Sequence, residues 1–87
     1  MSKIEKLIQK LRQNPANIRF EELDKVLTWY GFTCRPPSSG SHYVYKLRTS
    51  DKTYRLTVPF KKPFLKKVYV KQALIFIDAV VVENDAE

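Results

Sequence analysis

The sequence predicts an α+β domain of two layers, in the order helix, helix, strand, strand, strand, helix (α-α-β-β-β-α). Three observations carry that prediction. Apolar residues recur at helical spacing in two N-terminal segments and again near the C-terminus. After Gly31 the period switches to alternation. The alternating runs are consecutive and joined by short turns. That makes a three-stranded antiparallel sheet, with the helices left to cover one of its faces.

Ile4, Leu7, Ile8 and Leu11 form the first helical stripe, with lysines and a glutamine between them. Ser2 suits the N-cap, Glu5 completes a capping box, and Asn14-Pro15 stops the helix, which therefore spans about residues 2–13. Leu23, Val26, Leu27 and Tyr30 form the second stripe. Glu21, Glu22 and Asp24 place negative charge near its positive end. Gly31 suits a left-handed stop, whereas Arg19 stands where a capping Ser or Thr is expected. Trp29, at the edge of this stripe, is expected to pack against the first helix.

Phe32 to Arg35 reads as a short strand in which Cys34 shares the inward phase of Phe32. Pro36 to Ser41 is a turn or loop. His42 to Arg48 alternates, with Tyr43, Tyr45 and Leu47 on one side. Thr53 to Val58 alternates again, with Tyr54, Leu56 and Val58 on one side and Thr53, Arg55 and Thr57 on the other. The Thr49–Lys52 turn joins these two runs into a hairpin. The tyrosine side faces the helices, and His42, Lys46, Arg48 and Arg55 face solvent.

Pro59 and Pro63 bracket a basic loop. Val70, Ala73, Leu74, Ile77 and Val81 then return to helical spacing. Ile75, Phe76 and Val80 extend the apolar surface round much of this last helix, which implies deep burial or a face kept for a partner. The β-branched run Val80-Val81-Val82 suits a frayed or extended end, and residues 83–87 read as an acidic tail.

The 87 residues are expected to form a single domain, 1–87. A composition 44% hydrophobic and 13% aromatic excludes whole-chain disorder. The formal charge is +7, and setting aside the three tail acids Glu83, Asp85 and Glu87 raises it to +10 for residues 1–82. A small domain so basic meets phosphate or an acidic protein. Cys34 is the only cysteine, so no intrachain disulfide forms, which fits a reducing cytoplasm. No apolar run is long enough to span a membrane, and Met1 to Lys6 has no signal-peptide apolar core.

His42 is the only histidine and the one side chain whose ordinary titration falls near neutral pH. It follows Gly40, which lets a substrate approach closely, and Ser41, which offers a hydroxyl. Lys46 and Arg48 share its strand parity, where cations hold phosphate. One His and one Cys supply no zinc set, so no metal site and no cofactor are expected. No acid is placed to turn Ser41 and His42 into a triad, and no Gly-rich phosphate loop is present. Lys61, Lys62, Lys66, Lys67 and Lys71 form a cationic run suited to a nucleic-acid backbone, with Phe60 and Phe64 placed to stack on bases. The competing reading has both phenylalanines anchoring the loop to the core and the lysines solvated.

These pieces together resemble the HicA family of toxins from bacterial type II toxin–antitoxin modules. The resemblance covers about residues 20–78 and rests on the order and spacing of five pieces. They are Glu22-Leu23 with Val26-Leu27 and Gly31-Phe32, then Gly40-Ser41-His42, Leu56-Thr57-Val58-Pro59, Leu65-Lys66-Lys67, and Val70-Lys71-Gln72-Ala73-Leu74. It implies a fold like double-stranded RNA-binding domains, and endoribonuclease (mRNA interferase) activity with His42 as the catalytic residue. It also implies neutralisation by a HicB-type antitoxin that covers the active face. Many family members carry a second histidine where this chain has Tyr43, and another where it has Phe60. The resemblance makes mRNA the substrate. Gly40, Ser41, Lys46, Arg48, Arg55 and the five loop and helix lysines are then its RNA-binding residues, with Lys46, Arg48 or Arg55 stabilising charge on phosphorus. Two other classes compete: a non-catalytic RNA-binding module of the same fold, and an interaction domain for an acidic protein.

Overall fold

The computed structural model describes residues 3–38 and 40–85. Its elements run α1 (Lys3–Gln13), a short 3-10 turn at Pro15–Asn17, α2 (Phe20–Trp29), β1 (Thr33–Arg35), β2 (His42–Arg48), β3 (Thr53–Pro59) and α3 (Lys67–Asp85). This is the expected α+β order. The strands form one antiparallel sheet in the order β1-β2-β3. The expected capping role of Ser2, and Glu87 of the acidic tail, lie outside the described residues.

The helix boundaries follow from local chemistry. Arg19 caps α2 without using its side chain. Instead the Glu22 carboxylate accepts the Arg19 backbone N–H at 3.0 Å, supplying the N3 half of a capping box. Gly31 ends α2 with φ of +100°. Its N–H donates to the Thr28 carbonyl and the Phe32 N–H to the Leu27 carbonyl, both at 3.1 Å. That pair of bonds is a Schellman stop, which needs the left-handed residue that glycine supplies without strain.

The core lies between the inner sheet face and the helices. Tyr45, Tyr54, Leu56 and Val58 from the sheet are buried with Leu11, Ile18, Leu23, Val26, Leu27, Leu65, Val70, Ala73 and Ile77. Both buried tyrosines carry their hydroxyls to carboxylates on the helix layer. Tyr45 donates to Asp24 on α2 at 2.6 Å, and Tyr54 donates to Glu83 on α3 at 2.8 Å. Burial, then the bond to Asp24, pushes the Tyr45 hydroxyl far above its ordinary range. Burial and the Glu83 bond push Tyr54 up to about 12.

Three expectations need correction. Trp29 does not pack into the helix layer; it is 62% exposed and its ring meets Tyr30 edge-on at 5.1 Å. On α3 the buried stripe runs through Val80 with Val81 only partly covered, and Ile75 faces solvent. Val70, Ala73, Leu74 and Ile77 are buried as the spacing predicts, so the departure is confined to the C-terminal half of the helix. Of the two readings open for Val80–Val82, the helical one holds and the frayed or extended one does not. Glu83 is not tail but the last anchored turn of α3. It accepts from Tyr54 and from the Thr49 hydroxyl at 3.0 Å, and so ties α3 to the β2–β3 turn.

Candidate nucleic-acid interface

The sheet face away from the helices carries the predicted chemistry. Tyr43 pairs with Val58, Tyr45 with Leu56 and Leu47 with Tyr54. The residues between these point outward: His42 opposite Pro59, Val44 opposite Thr57, Lys46 opposite Arg55, and Arg48 opposite Thr53. β1 adds Thr33 beside Lys46 and Arg35 beside Val44. His42, Lys46, Arg48, Arg55 and Arg35 are all exposed. Among the described residues none of these five side chains makes a hydrogen bond or ion pair, and no acid stands on this face.

The ladder fixes where His42 sits. The Phe60 N–H donates to the Ser41 carbonyl at 2.6 Å, extending the β2–β3 pairing one rung past His42. Hydrogen-bonded and non-bonded pairs alternate in an antiparallel ladder, so His42–Pro59 is a non-bonded pair and the missing proline N–H costs nothing there. The same alternation makes Lys46–Arg55 a non-bonded pair, with Cα atoms only about 4.5 Å apart. Gly40 has φ of +85°, the left-handed region that glycine adopts without strain.

Strand rise sets the spacing of these residues along the face. At about 3.3 Å per residue, Lys46 and Arg55 lie about 13 Å along the sheet from His42, and Arg48 about 20 Å. They therefore lie along the outer face and do not cluster round His42. Arg35 was not recognised as a site residue from the sequence. It lines a shallow depression of about 510 Å³ with Thr33, Val44, Lys46 and Arg55. The available signal was strand parity, since an inward Cys34 requires an outward Arg35.

The five lysines beyond β3 do not form one surface with this face. Lys61 and Lys62 lie on the loop after β3, Lys66 immediately precedes α3, and Lys67 and Lys71 are exposed on α3, in the helix layer on the other side of the sheet. The loop is pinned where the Leu65 N–H donates to the Ile18 carbonyl at 2.9 Å. Phe60 and Phe64 are half-buried. Phe60 packs on Phe20 at 5.0 Å, as the anchoring alternative holds. Tyr43 packs on the same ring at 4.7 Å. The two positions that depart from the HicA pattern therefore belong to one aromatic cluster on the helix side of the sheet.

Among the described residues no group of three or more His, Cys, Asp or Glu is placed to hold a metal, and no helix is long and apolar enough to cross a membrane. Compared with family models, curated proteins and solved structures, the chain finds no match.

Proposed function

We propose that this chain is an endoribonuclease that cleaves mRNA, the toxin of a HicA-type toxin–antitoxin pair, acting in the cytoplasm. The observation that carries the reading is a sheet face holding one histidine and four cations with no carboxylate among them. Such a face is complementary to a phosphate backbone and repels itself when uncovered.

The chemistry uses protein groups and the substrate's own nucleophile. The ribose 2′-OH attacks the adjacent phosphorus while His42 takes its proton. The bond from phosphorus to the 5′-oxygen breaks, and the departing oxygen takes a proton from water. The products are a 2′,3′-cyclic phosphate and a 5′-hydroxyl. One histidine cannot act as base and acid in the same instant, so turnover is slow. A HicB-type antitoxin neutralises the toxin by covering the open sheet face.

Inducing wild type and His42→Ala side by side tests this. The variant is expected to lose growth arrest and at least about 100-fold in RNA cleavage, while RNA binding stays within about twofold. Equal behaviour of the two removes catalysis by His42. RNA bound by both and cut by neither makes the chain a binding module. Cleavage that leaves 5′-phosphate ends replaces the 2′-OH route with a water activated by His42.

A further inference from the structure

We infer that Arg35 is the catalytic cation that works with His42 on the scissile phosphate, and that the Lys46–Arg55 pair holds a phosphate further along the strand. The inference rests on the RNA-cleavage reading above and adds a residue that reading did not contain.

The argument is one of register. Arg35 pairs with Val44, two residues along β2 from His42 and one strand over. Strand rise and strand spacing put its Cα about 8 Å from that of His42, against about 13 Å for Lys46 or Arg55. Both Arg35 and His42 point outward, because Cys34 is paired with the buried Tyr45 and Tyr43 packs inward on Phe20. A phosphate seated between imidazole and guanidinium is within reach of both. The planar fork then donates to two phosphoryl oxygens, where charge grows as the 2′-oxygen attacks. A lysine supplies charge there without the fork. Arg35 also lines the depression that holds Lys46 and Arg55, so on the outer face it stands between His42 and that pair.

The test compares three variants on a short RNA centred on a cut site mapped in a mixed-sequence transcript. Arg35→Gln is expected to lower kcat by about 100-fold or more with KM within about threefold. Arg35→Lys is expected to recover only part of that loss. Arg55→Gln is expected to raise KM and leave kcat within about threefold. The Arg35 assignment is overturned by a kcat loss below about threefold, by a KM effect of the Arg55→Gln kind, or by full recovery in Arg35→Lys. Wild type that leaves every RNA intact overturns the parent reading and takes this assignment with it. A cleaving wild type matched by Arg35→Gln overturns the assignment alone.

Discussion

The two faces of the sheet are built from the same strands and obey opposite rules. On the helix side, polar groups are paired. Glu22 meets Lys10 at 2.6 Å, Tyr45 meets Asp24, and Tyr54 meets Glu83. Arg12 is held by Asp78, and that bond raises its already high pKa. No side-chain polar atom buried among the described residues lacks a partner. On the open side, Lys46 sits directly across from Arg55, with Arg35 diagonal to it and no carboxylate nearby. One side is satisfied within the chain. The other leaves its cations to solvent. Two residue sets read out stability and recognition separately, so the contrast can be broken experimentally.

The largest effect belongs to the covered side. Ile77 is fully buried on α3, and Ile77→Ala is expected to cost about 2–5 kcal/mol in denaturant unfolding. RNA affinity measured below the transition should stay within about twofold. A matching loss of affinity would show that the two faces are coupled.

Glu83 gives a smaller effect with a defined pH sign. Its hydrogen bond from Tyr54, opposed by burial and helped by Thr49, holds its carboxyl below the usual range. A group whose folded pKa is depressed stabilises the fold above its unfolded pKa of about 4.3 and loses that contribution as pH falls through the folded value. Glu83→Gln should therefore flatten the acid limb of the stability profile below about pH 4.5, at a modest cost near neutrality. An unchanged acid limb would mean that the tie between α3 and the hairpin turn does not couple to folding.

The smallest effect has the opposite direction. Arg55→Gln removes one of two like charges set directly opposite and should stabilise the free protein by about 0.2–1 kcal/mol. The same change should reduce the magnitude of the salt slope for single-stranded RNA binding by about 0.7. A destabilised Arg55→Gln would show that the pair is held by something other than an absent ligand. A slope that stays shallow in wild type would favour an acidic protein as the partner.

Much of this organisation was legible in the sequence. Gly31 announced the change of period, and the Tyr43-Tyr45-Leu47 phase separated the two faces before any coordinates. His42 fell on the outer face by that parity alone. What escaped depended on tertiary neighbours. Arg35 sits on a three-residue edge strand, too short for alternation to draw notice. Glu83 looked like solvated tail because its partners, Thr49 and Tyr54, lie about thirty residues earlier. On α3 the stripe Val70, Ala73, Leu74 and Ile77 was legible, and only its continuation through Val80 in place of Val81 was not. The lysine run lies as the sequence reads it, on a loop that leads into a helix, with Lys61 and Lys62 before α3 and Lys67 and Lys71 on it.

The Lys46–Arg55 pair has a consequence for how the protein responds to its ionic surroundings. Screening relieves repulsion between the paired cations, so added salt should stiffen the free protein against heat. On the proposed RNA-binding reading, the same salt competes for the same two side chains and should drive the RNA off. When a polyanion is bound, its occupancy stabilises the fold by mass action, and salt then removes that stabilisation. The melting temperature should therefore rise with ionic strength for the chain alone and fall for the chain saturated with RNA. Two curves of opposite slope, obtained from one protein, would mark this face as designed to be covered.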